Sequence, residues 1–496
     1  MNKIMKSQSS LRVSILVGPI AALLALTAPA TFADTISTSV DLRLLSVDPD
    51  VNDPGYLSLY NDGGGNVQRT FLNFNLSSYS GKSVTTDGTL TLVALNFGDF
   101  LTGASLGTAN SAWTQAGITW NNQPGLTAIA SATNPSGNFA NASNVTWTIP
   151  WYMVEKLATT GSGYNNGLGI TSGVGSTLHF QSTGGGGTPS LTFSAATAAS
   201  STWSGGNGNW TDTANWAGST VAEGIDQAAT INGGTAVNIT MDANRSVGAL
   251  SFSGADHTIS SGSGKLALNV TSGAPTVTVE AGRIATIGAT VVGIDGLTKA
   301  GNGTLTLASA NTYTGATTVN GGTLKVSYNA GGNGGVGTLG VGSSITVNSG
   351  ATLLGSAFNA LGYQTTHSGD LLTINKGGAL TVDAGIVLSM PYALNVVGGT
   401  IASVDGGDPS FGTIYYGSTM GTFTSHGDGT AATISAQNFN LQGAQFNVVQ
   451  GGGAVDLNVT GNLIGGGGLV KNGNGVMTLS PARTPTPARL RSTAAR

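Results

Sequence analysis

The sequence predicts an all-β protein, and three observations lead to that prediction. Glycine accounts for 78 of the 496 residues and charged residues for only 8%, and glycine accepts the backbone angles of tight turns at little cost. Many short segments alternate apolar and polar residues, which is typical of half-buried strands. Similar units start 28, 27 and 22 residues apart in the C-terminal half, which indicates stacked coils. We therefore expect a β-sandwich followed by a parallel β-solenoid.

The first 33 residues have the pattern of a secretory signal. Three basic residues precede the apolar run VSILVGPIAALLALT (13–27), and small residues follow it, so we expect cleavage near Ala33 and Asp34. The run is short for a membrane span and no other segment is comparable, so no integral membrane span is expected. The chain contains no cysteine. Its stability after export must therefore come from burial and backbone hydrogen bonds rather than from disulfides.

The charge balance argues against nucleic acid as a partner. The formal net charge is −4, but the signal carries three basic residues and residues 481–496 carry four. Without them, 11 basic side chains face 22 acidic ones, a net charge of −11. Such a surface repels phosphate backbones, and the chain has no basic stripe interleaved with aromatic residues.

Residues 34–195 are predicted to form the sandwich, with one short helix. Alternating segments include RTFLNFNL (69–76), GTLTLVALNF (88–97) and NVTWTI (144–149), and several such strands within about 160 residues are typical of a sandwich. The helix is expected where Pro150 precedes WYMVEKLA, because proline is favoured at helix starts.

This region resembles the DNRLRE-type domains, a group that includes carbohydrate-binding module family 96. The resemblance is carried by VQRTFLNFNLSSYSGKSV, by ANSAWTQAGITWNNQPG with its Trp113, Trp120 and Pro124, and by FQSTGGGGTPSLTF. It implies a jelly-roll-like sandwich and a polysaccharide or cell-surface glycan as partner. Family members include binders of acidic polysaccharide, but a uronate ligand is disfavoured here because nine acidic residues outnumber the four basic ones. The basic residues are Arg43, Arg69, Lys82 and Lys156.

The aromatic residues of this region have two interpretations. Trp120, Trp147, Trp151 and Tyr152 could stack against sugar rings, or they could fill the sandwich core and the helix contact. For Trp113 and Trp120 the core interpretation is favoured. No sugar-contact residue is assigned, and the ligand-binding residues stay unknown.

A linker is expected at 196–202, where the texture changes to one rich in glycine, threonine and asparagine. Trp203, Trp210 and Trp216 follow within fourteen residues. They could form a sugar platform. We favour packing over the first coil of the solenoid, where they would hide an open strand edge.

Residues 203–480 are predicted to form the solenoid. The unit GLTKAGNGTLTLASANTYTGATTVNGGTLKV (296–326) resembles the autotransporter-associated β-strand repeat, also called the passenger-associated transport repeat. Leu305 and Leu307 are expected to point one way, and Val319, with the two apolar residues that follow it, to return inward. The resemblance implies an exported surface protein.

A second copy of this repeat begins as GLVKNGNGVMTL (468–479) and is truncated near residue 480. Residues 481–496 then read PARTPTPARLRSTAAR instead of the expected continuation. Codons exist for this tail that spell GANTYTGATALDGGT when read two bases later. We therefore expect a frameshifted tail that replaces further sequence, such as repeats, a translocator or an anchor. The alternative is a disordered basic tail, and the nucleotide sequence decides between them.

No motif indicates catalysis, a metal or a cofactor. The histidines are scattered, and His426, two residues from an aspartate, is interpreted as a loop residue rather than a metal ligand; the others are His179, His257 and His367. The segment DPDVNDPG (48–55) fails the EF-hand pattern, which requires Gly and Glu where Asp53 and Leu59 stand. The glycine clusters lack the Gly-Lys-Ser/Thr of a phosphate loop.

The sequence thus predicts a non-enzymatic, adhesin-like or structural protein, exported to the outer surface or surroundings of a Gram-negative-type bacterium. A carbohydrate-binding-like module would be displayed on a solenoid stalk. Two alternatives remain: a secreted lyase or hydrolase acting on polysaccharide on the same β-helix, and a purely structural matrix protein.

Overall fold

The computed structural model describes most of the chain after the signal-like segment. The described residues are 33–496 except 48–51, 54, 96–98, 131, 184–186, 332–336, 341, 343, 364–369, 405–412, 417–422, 427–428, 442–444, 466–468, 481–489 and 493–496. The signal-like segment thus lies outside the described residues, apart from Ala33. Cleavage near Ala33 and Asp34 stays a prediction.

The N-terminal half is an antiparallel sheet with one α-helix, α1 (Trp151–Ala158), which begins after Pro150 as predicted. The strands are β1 (Asp34–Leu45), β2 (Asn52–Asp53), β3 (Leu57–Asn61), β4 (Val67–Phe74), β5 (Lys82–Val84), β6 (Gly88–Val93), β7 (Asp99–Leu101), β8 (Ser105–Ala109), β9 (Leu126–Ala128), β10 (Gly137–Phe139), β11 (Asn144–Ile149), β12 (Leu168–Thr171), β13 (Ser176–Phe180), β14 (Ser190–Phe193) and β15 (Ala195–Thr197). The main sheet has the order β11-β6-β14-β1-β4-β12-β8-β9, with β2, β3 and β13 attached.

Strand β1 joins the two halves of this curled sheet. Its first residues pair with β14 and its later ones with β4, and the register shifts between Thr38 and Val40. Such a bulge bends a strand. The apolar residues of both halves then share one core, which includes Leu72, Leu90, Trp147, Ile170, Phe180 and Leu191.

The C-terminal half is a parallel β-solenoid. Its strands are β16 (Ser201–Trp203), β17 (Gly208–Asn209), β18 (Gly224–Ile231), β19 (Asn238–Met241), β20 (Arg245–Phe252), β21 (His257–Ser261), β22 (Leu266–Leu268), β23 (Thr276–Val279), β24 (Ile284–Ile287), β25 (Val291–Val292), β26 (Leu297–Ala300), β27 (Thr304–Leu307), β28 (Thr317–Val319), β29 (Gly322–Val326), β30 (Ile345–Val347), β31 (Ala351–Gly355), β32 (Leu371–Ile374), β33 (Ala379–Val382), β34 (Val387–Ser389), β35 (Ala393–Val397), β36 (Thr400–Ser403), β37 (Thr413–Tyr415), β38 (Phe423–His426), β39 (Ala432–Ile434), β40 (Asn438–Asn440), β41 (Gln445–Val449), β42 (Leu457–Val459), β43 (Asn462–Ile464), β44 (Leu469–Asn472), β45 (Met477–Leu479) and β46 (Leu490–Ser492).

These strands stack into three sheets of 15, 12 and 4 strands along the solenoid. The register places like residues above one another: Thr276, Thr298, Thr318, Thr346 and Thr373 form one outward column. Leucine, valine and isoleucine occupy the inward positions and form a continuous core. Threonine suits a half-buried pleated surface, which accounts for the threonine-rich sequence. The predicted fold class is confirmed.

The recognised repeat shows why its sequence is so distinctive. The predicted inward residues, including Leu305, Leu307 and Val319, are fully buried or nearly so. Lys299 is also buried, and its Nζ donates to three backbone carbonyls, those of Ala300, Gly301 and Gly321, at 2.8–3.0 Å. Because Gly321 belongs to the next coil, this ammonium holds two successive coils together.

The second copy follows the same pattern as far as it is described. Lys471, the counterpart of Lys299, donates from Nζ to the carbonyl of Gly473 at 2.9 Å. Of the tail, Leu490–Ser492 form β46, which pairs with β44, and the remaining tail residues lie outside the described part. The frameshift stays a prediction.

The tryptophans of the first coil are buried in the solenoid core, so they cannot form a sugar platform. That they hide an open strand edge stays a prediction. Trp203, Trp210 and Trp216 are each at most 2% exposed, and the ring of Trp216 lies 5.0 Å from each of the other two. The Nε1 of Trp210 donates to the carbonyl of Ala222 at 3.0 Å. The expected linker 196–202 contributes to β15 and β16.

Candidate ligand-binding groove

The segment that carries the tryptophan motif folds as a layer over the outer face of β1 and β4. A 3-10 turn, Trp120–Asn122, is held by Thr119 and Asn122: the Thr119 amide donates to Asn122 Oδ1 at 2.6 Å. The Asn122 Nδ2 donates to the carbonyl of Gly117 at 2.8 Å. These local bonds explain why a Thr-Trp-Asn-Asn sequence makes a compact turn rather than a strand.

Beneath this layer is a small second core, separate from the sandwich interior. It consists of Leu42, Leu44, Phe71 and Ile118, with Trp113, Trp120 and Leu126 packed against it. The Trp113 ring meets the Phe71 ring edge-on at 5.7 Å. Trp113 and Trp120 therefore pack against this outer cluster and not in the sandwich interior. Both remain partly exposed.

Arg69 is the charged residue of this surface. Its guanidinium lies over the Trp120 ring, 4.8 Å from the ring centroid, and donates from Nη1 to Gln123 Oε1 at 3.0 Å. Gln123 Nε2 donates in turn to the Trp120 carbonyl at 2.9 Å. Arg69 Nε has no hydrogen-bond partner among the described residues. Burial lowers the pKa of Arg69, but an arginine remains charged at physiological pH.

Two adjacent grooves open around the turn. One, of about 400 Å³, is lined by Arg69, Ser105, Gly107, Gln123, Pro124, Gly125, Leu126, Ala128 and Thr171. The other, of about 350 Å³, is lined by Ser111, Ala112, Trp113, Thr114, Gly117, Ile118, Asn122 and Pro124. Hydroxyls, amides and one guanidinium beside apolar walls suit a neutral polyhydroxyl ligand. Neither lining contains the pair of carboxylates that glycoside hydrolysis requires.

Three of the proposed sugar-stacking aromatics cannot contact an external ring. Trp147 is fully buried in the sandwich core, with its ring 6.0 Å from that of Phe180. Trp151 and Tyr152 are also buried, on α1. For these three the core interpretation is confirmed. Trp120 is half-buried and has Arg69 over its ring.

One acid–histidine pair was missed in the sequence. Sequence spacing gives no sign of it: His179 Nδ1 lies 3.2 Å from Asp99 Oδ2, and this oxygen also accepts from the His179 amide at 3.1 Å. The two residues are 80 positions apart, and they meet because β7 lies next to β13 in the fold. The Tyr56 ring lies 5.4 Å from His179, and the Arg43 guanidinium lies 3.5 Å from the Tyr56 centroid.

The other predicted candidates do not form a site in the described part of the chain. His257 is buried, with Nε2 2.9 Å from the Ser253 carbonyl. The backbone of His426 ends β38 rather than lying in a turn. His367 and most of 48–55 lie outside the described residues. Within the described ranges, no group of three or more His, Asp or Glu could hold a metal, and no helix is long and apolar enough to cross a membrane.

Comparison with known proteins agrees with both halves of the fold. The carbohydrate-binding module family 96 matches residues 53–195, which include every residue of the two grooves. The passenger-associated-transport-repeat family matches residues 297–326. A curated relative, "Adhesin BmaC autotransporter" of Brucella suis biovar 1 (strain 1330), is 33% identical over 139 residues. That alignment covers 28% of this chain and only 4% of the relative. The chain thus carries an autotransporter-associated repeat in its solenoid and a family 96-like module in front of it.

Proposed function

We propose that this protein is an adhesin-like passenger, exported to the outer surface of a Gram-negative-type bacterium, whose family 96-like module binds a glycan at the Arg69 groove. The observation that carries the proposal is the cluster of Arg69, Trp120 and Gln123 beside a groove of about 400 Å³. The guanidinium lines this groove, and its N–H groups are directional donors that suit sugar oxygens. The solenoid then serves as the stalk that presents the module.

The charge of the sandwich supports a neutral glycan over an acidic one. Of its four basic residues, Lys156 is buried in an ion pair and Arg43 is buried against Tyr56. Arg69 alone lines the grooves. A single cation in the groove linings, in a module where nine acidic residues outnumber four basic ones, gives little attraction for a uronate chain.

A glycan array with the full chain tests this proposal. We expect Arg69→Gln to weaken binding of any captured glycan by about 10- to 100-fold, because a charge-assisted hydrogen bond is lost. Lys82→Gln is the matched control: Lys82 also lies over an aromatic ring, 4.9 Å from the Tyr79 centroid, but outside the grooves. Equal binding by the Arg69 variant would refute the site. The absence of any bound glycan would favour a purely structural protein.

The enzyme alternative has one observation in its favour, the pair His179–Asp99 next to Tyr56. A carboxylate that orients a histidine is common where a histidine transfers protons. Release of reducing ends from a polysaccharide panel, lost in His179→Ala and retained in Arg69→Gln, would establish lyase or hydrolase activity. Without such release, the adhesin-like function stands.

A further inference from the structure

The sandwich and the solenoid share a buried contact centred on α1. All eight residues of the helix are buried. Trp151 Nε1 donates to Ser246 Oγ of β20 at 3.1 Å. Ala267 of β22 and Val292 of β25, which belong to the solenoid, are part of the sandwich core. The two halves therefore meet through a continuous apolar core rather than through a flexible tether.

Lys156 of α1 fixes this contact with an ion pair. Its Nζ lies 2.8 Å from both carboxylate oxygens of Asp295 and also donates to the carbonyl of Val270. The same Asp295 carboxylate accepts from the Val270 amide at 2.9 Å. Breaking a buried pair of this kind leaves an uncompensated charge, so the orientation of α1 on the solenoid is specified.

The neighbouring Glu155 is fully buried at the same contact but has no cationic partner in the described part of the chain. Asn269 Nδ2 donates to its Oε2 at 2.7 Å and the Val84 amide to its Oε1 at 3.3 Å. Ser246 and the Ile225 amide supply further hydrogen bonds. Val84 belongs to the sandwich and the other three to the solenoid, so this carboxyl group connects both halves.

The charged groups on the surrounding elements are engaged elsewhere. On the solenoid, Glu223, just before β18, pairs with Arg245 of β20 at 3.0 Å, and Asp226 of β18 accepts from the Thr271 amide at 2.8 Å. Asp87, between β5 and β6, accepts from the Trp151 amide at 3.0 Å. Lys156 on α1 is paired with Asp295, and Lys82 on β5 lies over Tyr79. Among the described residues, no cation is therefore positioned to compensate an ionised Glu155.

We propose that Glu155 is a proton-linked latch: protonation of its carboxyl group tightens the docking of the sandwich on the solenoid, and loss of the proton loosens it. The neutral acid can donate its proton to Ser246 Oγ, a hydroxyl with a second lone pair beyond the one used by Trp151. The ionised form places an uncompensated charge in the contact, which is costly even with four donors. The latch goes beyond glycan binding and does not depend on it.

The direction of the pH dependence follows from the burial of this group. Burial raises the pKa of Glu155 from 4.5 to about 7, against the opposing effect of its hydrogen bonds. A raised acid pKa stabilises the docked state fully below pH 4.5, and this stabilisation is lost as the pH rises through about 7. The corresponding change in the docking equilibrium is at most roughly 300-fold.

Hydrogen exchange of the full chain between pH 5 and 8.5, corrected for intrinsic exchange rates, tests the latch. Peptides covering 82–86, 151–158 and 266–271 should lose protection with a midpoint near pH 7. A distant coil, 371–397, should not. Glu155→Gln should abolish the midpoint, whereas Glu280→Gln, a change of an exposed acid in another coil, should retain it.

Two results would overturn the proposal. One is an unchanged midpoint in Glu155→Gln, which would assign the titration to another group. The other is equal pH dependence at the contact and in the distant coil of the unaltered protein. This second comparison decides the matter even if the Gln variant does not fold.

Discussion

The sandwich and the solenoid solve the problem of burying a core in opposite ways. In the sandwich, β1 pairs with β14, which lies more than 140 residues later in the chain. In the solenoid, β27 pairs with β29, whose matching residues lie 19 positions later. Strands that pair across long sequence distances make the sandwich fold and unfold cooperatively as one unit. In the solenoid each coil contacts only its neighbours, so the total stability is approximately the sum of the contributions of the coils and their interfaces.

The side-chain contacts of the sandwich and the solenoid also differ. The sandwich uses pairs that occur once, such as Arg69 with Gln123 and His179 with Asp99. The solenoid repeats a column of the same residue type, as in the outward threonines that begin with Thr276. Unique pairs can recognise a ligand, whereas uniform columns give a regular support. This contrast is why the candidate site lies in the sandwich.

The largest expected effect is that of Trp147→Ala in the sandwich core. Removing this fully buried ring should destabilise the sandwich by about 3–5 kcal/mol. Hydrogen exchange should show lost protection in every sandwich strand. In the control Trp203→Ala, the loss should be confined to the first coils. If both variants lost protection from hydrogen exchange equally throughout the solenoid, the sandwich and the solenoid would not differ in how cooperatively they unfold.

Next in size is Lys299→Met, which leaves three carbonyls, one buried and two partly buried, without their donor. We expect a loss of roughly 2–4 kcal/mol in the surrounding coils. Lys325→Met, whose Nζ is 3.6 Å from Asp383 on the partly exposed surface, should cost less than about 1 kcal/mol. Urea unfolding of the two variants measures the difference.

Lys299 should also impose a pH dependence. Burial lowers its pKa from 10.5 to about 8, so the unfolded state binds more protons between these values and stability should rise with pH in that window. The Met variant should lack this rise up to pH 10. An identical slope in both proteins would show that the ammonium is not the titrating group.

A smaller effect is expected at the Gly-Gly pair of the repeat. Gly322 has a φ of +60°, and a Cβ there would overlap the Gly303 carbonyl of the previous coil. Gly322→Ala should therefore cost about 1–3 kcal/mol. At Gly321 the nearest atom to a Cβ is the side chain of Asn302, at 3.1 Å, so Gly321→Ala should be tolerated better. Thermal unfolding compares the two, and equal losses would contradict the steric explanation.

The smallest effect concerns a ladder of asparagines along the solenoid. Asn348 Nδ2 donates to Asn320 Oδ1, and Asn375 Nδ2 donates to Asn348 Oδ1, both at 2.7 Å. Asn348→Ala should cost about 1 kcal/mol, visible as a small drop in the midpoint of thermal unfolding. Thr346→Ala, in the middle of β30, which ends just before Asn348, is the control. A loss of several kcal/mol in the free energy of unfolding would mean that the coils are coupled more strongly than additive contributions allow.

Local patterns predicted the solenoid well because each strand pairs and packs with strands that are close to it in sequence. The inward positions of Leu305 and Val319 follow from simple alternation. The same is true of α1, whose start is signalled by Pro150. These features depend on short-range periodicity, which a single sequence contains.

The candidate site could not be predicted in the same way. Arg69 meets Gln123 across 54 residues, and no local pattern specifies that a turn after β8 folds back over β4. Ala267 and Val292 look like ordinary solenoid residues, yet they lie in the sandwich core. Contacts of this kind depend on how layers pack, which neither composition nor periodicity determines.

The shared core has a practical consequence for anyone who wishes to isolate the module. A fragment cut at residue 195 would leave the α1 face without its cover and would expose Trp151, Tyr152 and the unpaired ammonium of Lys156 to water. Such a fragment should aggregate or melt early. A boundary placed beyond Asp295 would retain the solenoid residues that complete the module, and it is the sensible minimal unit for expression.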